Sequence, residues 1–594
     1  MREFELTRRR ILAGVGGLGL ASAAAGLGTS AYFSDTETVE NNEIQAGEVD
    51  LYVDYETAVS QDGVTTGSTT NDGTIDGDGT ATGEYAISDL TPGDSGSLQF
   101  NPKIVDNSGW LWIGSTAGVI DYENGQTEPE ADVDGSDAGS LGNAPSGAGA
   151  GELSAAIQVD VSYCTESGGV LHEFRNPVDY TLADLLKELE SGFLLDGDAT
   201  TSGTDAYPPS PDSSTQNGPC LYIEWEVPTD VGNEIQSDSV AFDLTFAAHQ
   251  TRNNPAPQNP FADATVLPGD AIQSAIDDAS GGDVVSVFGG DFGDGSDYTE
   301  AIDVDTPLTL ARASAERPVV EHSNGSTVDV QADDVTVDGF EIRNPGTQGS
   351  ANPTDYAGAV GIDVSSGSEN VCLQHNVLAD IGTGDDDANP IGILASDGTS
   401  GITIYGNELR NLEGTDEDEG AVQAILINES GTQITDVTVR SNTITGLLDT
   451  RSTVAVRFNG DVTGVIDGND ISDLNTEGTI PGSGGDPGGF TQVISLAQGG
   501  GSATGPSNVT IRENTISDVE TTTSDNFAPP FHVVLGSSTD GSTVTIESNE
   551  FSGDSQDDEV YVGDGTGSLD LSAVLATNSF TPSGTISGTR IERS

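Results

Sequence analysis

One phrase recurs through the second half of the chain and limits what it can fold into. It reads Val437-Thr-Val-Arg-Ser-Asn442-Thr-Ile444, then Val509-Thr-Ile-Arg-Glu-Asn514-Thr-Ile516, then Val544-Thr-Ile-Glu-Ser-Asn549-Glu-Phe551. Looser copies span 335–342, 371–378, 402–409, 464–471 and 575–580. The asparagines stand at 376, 407, 442, 469, 514, 549 and 578, with Phe340 in that place in the first copy. Each copy alternates apolar and polar residues at period two, the mark of a half-buried strand. A second apolar burst follows a variable loop, as in Ile391–Leu394, Ala424–Ile427 and Val454–Phe458. A unit of two or three short strands cannot bury its own inner face. Stacked at the strand spacing of about 4.8 Å, such units share one core and form a solenoid. Stacked inward, each asparagine amide can donate to the next asparagine carbonyl, which satisfies a buried polar group. Asparagine also tolerates the left-handed backbone of a tight turn. The expected ladder is Asn376, Asn407, Asn442, Asn469, Asn514 and Asn549.

This pattern resembles the right-handed parallel β-helix of the pectin-lyase-like superfamily, over residues 262–594. The resemblance implies fold more than activity, because one scaffold hosts unrelated chemistries. A helix is expected ahead of the first coils. Asp270 is its N-cap candidate, Ile272, Ala275, Ile276 and Ala279 form one face, and Gly281-Gly282 ends it. Its role would be to cover an otherwise unpaired solenoid end, as in β-helices of that superfamily.

The chain carries 98 acidic against 18 basic residues, a net charge of -80, with lysine only at Lys103 and Lys187. Such charge means either disorder or a surface adapted to molar salt, where the Debye length is about 3 Å. The ordered repeats between the acids favour the second. Nucleic acid is excluded as a partner by this charge. Of the three cysteines, Cys164 and Cys220 are candidates for a disulfide in an exported protein, and Cys372 lies in a repeat strand as a buried thiol.

Residues 1–31 read as an export signal: Thr7-Arg8-Arg9-Arg10-Ile11-Leu12, a Gly/Ala/Leu-rich stretch, then Thr29-Ser30-Ala31. The arginine pair resembles a twin-arginine signal. The competing reading is an uncleaved anchor. Once the signal is removed, no stable membrane span is expected. Residues 32–252 alternate as short strands (Val49–Val53, Ser97–Phe100, Ala155–Val161, Leu221–Val227, Val240–Phe246) and read as a sandwich. One helix interrupts them, with Thr181 as N-cap, Leu182, Leu185, Leu186 and Leu189 as its core stripe, and Gly192 as its stop. Residues 253–261 are a Pro/Asn linker.

The order of Tyr32-Phe-Ser-Asp35, Ile87-Ser-Asp-Leu-Thr-Pro-Gly93-Asp94, Asp106-Asn-Ser-Gly-Trp-Leu-Trp112 and Ser239-Val-Ala-Phe-Asp-Leu-Thr-Phe246 resembles the TasA/camelysin family. That resemblance implies a secreted, jelly-roll-like β-sandwich, and self-assembly through it in some members. The five histidines show no His-Glu-x-x-His spacing, so the metallopeptidase activity described for camelysin-type members is not expected here.

Chemistry is expected in the loops after each asparagine. Asp385, Asp386 and Asp387 begin nine residues past Asn376, Asp416 and Asp418 belong to a run nine past Asn407, and Arg451 lies nine past Asn442. Equal offsets place these side chains on one flank, where carboxylates could hold Ca²⁺. Arg451 beside them resembles a pectate-lyase-like layout. Arg457 and His532 are expected to face outward on the same flank, with Tyr356 and Phe527 as sugar-stacking candidates. Two functions fit. The first is a secreted, halophilic cell-surface protein with a structural, adhesive or glycan-binding role. The alternative is an extracellular lyase or hydrolase acting on acidic polysaccharide through the β-helix.

Overall fold

The computed structural model describes residues 50–592 apart from 62–63, 67–72, 77–89, 116–118, 123–151, 165–169, 176–179, 201–202, 230, 234, 237, 253, 255, 291–297, 347–358, 383–389, 415–420, 450–451, 477–489, 498–503, 522–529, 553–559 and 582–588. The second half is a right-handed parallel β-helix with three faces. Sheet I has ten strands, from Ala264–Val266 and Asp283–Val287 to Val544–Glu547. Sheet II also has ten, from Ile302–Val304 to Thr589–Glu592, and the eleven-stranded sheet III starts at Val319–Glu321. The chain visits II, I and III in turn, and every neighbouring pair is parallel.

The core is built from aliphatic columns. Leu310, Val337, Leu373, Ile404, Val439, Ile466, Ile511 and Ile546 stack inside sheet I. Ile342, Leu378, Leu409, Ile444, Ile471, Ile516, Phe551 and Phe580 stack inside sheet III. Each such burial contributes roughly 1.5–3 kcal/mol, which explains why the phrase repeats.

The corner between sheets I and III carries the asparagine column. Asn376 Nδ2 donates to Asn407 Oδ1 at 3.1 Å, Asn407 to Asn442 at 3.0 Å and Asn442 to Asn469 at 2.9 Å. Asn469, Asn514 and Asn549 continue to Asn578. Each Oδ1 also accepts the backbone N–H of the asparagine one coil earlier, and each of these Nδ2 groups reaches a sheet I carbonyl. The left-handed backbone belongs to the preceding residue, not to asparagine: His375, Gly406, Ser441, Gly468, Glu513 and Ser548 have φ between 52° and 61°. Asparagine is required here for its amide.

The cap helix spans Ile272–Asp278 and drops Ile272 and Ile276 into the end of the core. Asp270 does not cap it. Ala271 is the N-cap, and the Glu300 carboxylate accepts from Ile272 N at 2.9 Å and Gln273 N at 3.2 Å. Glu300 lies 28 residues from Ile272, in a bend just ahead of the strand Ile302–Val304, and the fold brings it to the helix start. The helix also does not precede the first solenoid strand, since Ala264–Val266 already pairs with Asp283–Val287.

The first half forms a β-sandwich. Its main sheet is antiparallel along Val64–Thr66, Asp50–Gln61, Ser95–Val105, Cys220–Glu226, Gln158–Cys164 and Val170–Arg175. Opposite it lie Thr245–Gln250, Gly109–Gly114 and Phe193–Leu195, with Ser239–Phe242 paired to Val119–Tyr122. The segment 240–246 is thus two strands in different sheets, broken at Asp243, whose carboxylate accepts from Ser115 Oγ and Thr245 Oγ1. Residues 153–156 are a helical turn, and the strand starts only at Gln158. Cys164 and Cys220 face each other across the main sheet and are bonded, with Cα atoms 4.9 Å apart. No helix of the described residues is long and apolar enough to cross a membrane.

The sandwich docks on the outer face of sheet I. Leu194 N donates to Ala313 O at 2.8 Å, Trp112 meets Phe288 edge-on at 5.9 Å, and Asn259 bridges Ser191 O and Ser286 Oγ. The helix Leu182–Leu189 begins with a Thr181–Asp184 capping box. Asp184 reaches across as well: Oδ2 accepts from Tyr405 Oη at 2.5 Å and Oδ1 from Arg440 Nη2 at 3.2 Å. One carboxylate therefore caps a helix and joins the domains. Asp184→Ala is expected to cost about 3 kcal/mol, since it leaves a buried tyrosine hydroxyl unpaired and removes the cap. Chemical denaturation should then separate into two transitions. A single, unshifted transition would show the contact to be idle.

Candidate functional site

The sandwich lies against sheet I as far as Arg440, and sheet II is the face beside the most elaborate connections. The segments 347–358, 383–389, 415–420, 450–451, 477–489 and 522–529 all join sheet III to sheet II. Asp385, Asp386, Asp387, Asp416, Asp418, Arg451, Tyr356 and Phe527 fall in these segments and lie outside the described residues. Among the described residues no group of three His, Cys, Asp or Glu side chains is placed to hold a metal.

One outward column of sheet II runs Asp303, Asp329, Asp363, Leu394, Leu426, Arg457, Ser495, Val534. The three aspartates come from one sequence pattern, Ile302-Asp-Val304, Val328-Asp-Val330 and Ile362-Asp-Val364. The flanking aliphatics are buried, so period two forces each aspartate outward. Parallel register then sets consecutive aspartates on neighbouring strands, about 4.8 Å apart from backbone to backbone. Isolated aspartates inside strands gave no composition signal; the repeated apolar–Asp–Val triplet was the signal available.

The three carboxyl groups differ in surroundings. Asp303 is exposed, whereas Asp329 and Asp363 are half-buried. Asp329 accepts Gln331 Nε2 at 2.9 Å and Ser365 Oγ at 3.0 Å. Asp363 is pushed up to about 6, first by desolvation and then by the neighbouring Asp329 charge, against a hydrogen bond from Ser326. Its Oδ1 is buried with no hydrogen-bond partner among the described residues. The desolvation has a visible source: Val360, Ile391, Leu394 and Leu426 form a separate buried cluster on this outer face, and Asp363 is the register partner of Leu394. Two carboxyl groups one rung apart, one of them pushed up by its apolar surroundings, can divide the roles of proton donor and nucleophile.

Arg457 lies three rungs further along the same column and is half-buried. His532 does not face outward. It is fully buried, with Nε2 donating to Ser552 O at 2.7 Å and Nδ1 accepting from Tyr561 N at 3.4 Å. Strict alternation failed because sheet II strands carry two adjacent inward residues: Ala424–Ile425, Ala455–Val456, Val493–Ile494 and His532–Val533. In the two preceding coils the extra position is glycine, Gly361 and Gly392. A Cβ on Gly392 would lie 2.5 Å from Ala424 O and 2.7 Å from a Leu409 methyl.

Burial pushes the His532 imidazole down to about 4. The unfolded chain binds this proton near pH 6.5 and the folded chain does not until about pH 4, so the stability His532 contributes is present above pH 6.5 and lost as pH falls toward 4. Acid unfolding in that window should flatten in His532→Phe; an unchanged slope would assign the pH dependence elsewhere.

No known family profile and no curated protein matches the chain. Among solved structures, alginate lyase from Paenibacillus sp. str. FPU-7 aligns at 13% identity and TM-score 0.30, over 56% of this chain and 99% of that one. Pectin methylesterase PemA from Erwinia chrysanthemi aligns at 11% and 0.22, over 57% and 94%. The catalytic domain of a GH87 alpha-1,3-glucanase in complex with nigerose aligns at 10% and 0.26, over 85% and 90%. What this chain does is read from its own residues.

Proposed function

We propose that the chain is an extracellular polysaccharide-acting protein whose sheet II outer face binds a glycan, with Asp329 and Asp363 as a glycoside-hydrolysing pair. The observation that carries this is the half-buried Asp363, pushed up to about 6, one rung from a doubly hydrogen-bonded Asp329. Asp363 would protonate the glycosidic oxygen while Asp329 attacks the anomeric carbon. Water, deprotonated by Asp363, would then release the sugar and regenerate both groups. With their strands about 4.8 Å apart, the two side chains are within reach of the roughly 5–5.5 Å between carboxyl groups in retaining enzymes. Three successive carboxylates on a chain of net charge -80 disfavour a uronate substrate and favour a neutral glycan. That differs from the acidic polymer expected from sequence.

The disulfide supports an oxidising, extracellular setting, and the acidic surface supports a molar-salt one. The same face without turnover would serve a structural or adhesive cell-surface protein. The rigid Asp184 junction favours that second reading, because it makes two domains one stiff element. Export by residues 1–31 and assembly through Tyr32-Phe33 concern segments outside the described residues. Incubation of the full chain with neutral glycans in molar salt separates the readings. New reducing ends, absent with Asp329→Asn, support hydrolysis, and binding without turnover supports the adhesive role.

A further inference from the structure

A cavity of about 680 Å³ lies inside the sandwich, between its main sheet and the helix Leu182–Leu189. Leu98, Val159, Ile223 and Trp225 wall it on the sheet side, and Leu185 and Leu186 on the helix side. The volume is several times the roughly 150 Å³ of an engineered apolar void that stays dry and takes up benzene. It falls within the about 300–1,000 Å³ of ligand pockets. Water would find few partners along these walls, and walls facing empty space lose their packing contacts.

The rim is polar but not basic. Thr91, Asn233, Gln236 and Asp238 stand there, and no lysine or arginine is among the described lining residues. The Asp238 carboxylate accepts from Glu152 N at 2.7 Å. An anionic head group would meet negative charge and no counter-ion, whereas a hydroxyl or carbonyl can hydrogen-bond the two amides.

We propose that the sandwich binds one uncharged, long-chain hydrocarbon molecule, alkyl or isoprenoid, with its chain in this cavity and a hydroxyl or carbonyl end at the Asn233/Gln236 rim. The site is independent of sheet II and of any glycan chemistry there.

The test uses the full chain in molar salt, stripped on a hydrophobic resin, with the uncharged fluorophore N-phenyl-1-naphthylamine as probe. One saturable site is expected, with hexadecan-1-ol displacing the probe at least about tenfold better than hexadecanoate. Leu186→Trp fills the cavity and should weaken probe binding by about tenfold or more. Leu98→Phe does the same from the opposite wall and replaces it should the first variant fail to fold. Absence of a saturable site, equal displacement by hexadecanoate, or unchanged affinity in a folded filling variant would each overturn the proposal.

Discussion

Asp363→Asn is expected to lower glycan hydrolysis by at least about 100-fold, the usual contribution of a positioned general acid. The wild-type rate should fall as pH rises through about 6, because the donor must be protonated. The same substitution should stabilise the fold at neutral pH. The Asp363 carboxyl lies above its ordinary range in the folded chain, so the folded state binds the proton more tightly than the unfolded one. Stability is therefore fully present below about pH 4 and is lost as pH rises toward 6, by the linkage between proton binding and folding. Asparagine carries no charge to desolvate and should recover on the order of 2 kcal/mol at pH 7. A carboxylate with only a solvating role would show neither effect. Paired opposite changes, activity down and stability up, are the pattern of a functional group held in an unfavourable environment.

Asn442→Ala should be among the most damaging single changes in the β-helix, at roughly 4 kcal/mol. It removes the acceptor for both Asn407 N and Asn407 Nδ2 and the donor to Ile404 O. All three groups are buried, and each orphaned group costs about 1–3 kcal/mol, discounted because neighbours relax. Asn442→Leu separates polarity from packing. It restores volume but orphans the same atoms, so it should be no more stable than alanine. Urea unfolding of the two variants decides this, and a leucine variant near wild type would mean that the column acts through packing.

The β-helix was legible because its physics is repetitive. Apolar alternation gave the strands, and asparagine at a fixed place in each phrase gave the inward amide column. What local pattern missed came from other coils or from broken periodicity. Glu300 caps the helix that Asp270 was expected to cap, because tertiary structure brings it there. His532 turned inward because two adjacent inward residues shift the alternation by one. The candidate site was missed for a different reason. Acidic runs in loops draw attention by density, whereas Asp329 and Asp363 are single aspartates in aliphatic strands. Their significance lies in which residue stacks on which, and that is fixed by register across 34 residues of sequence. The Asp184 bridge to Tyr405 spans 221 residues and has no local signal.

The most direct measurement is proton NMR of anomeric configuration during cleavage of neutral glycans by the full chain in molar salt. Newly formed sugar should first appear with the configuration of the bond that was cut, and it should vanish with Asp363→Asn and with Asp329→Asn. No product from any neutral glycan, or product from either variant at the wild-type rate, would contradict the assignment of this carboxylate pair.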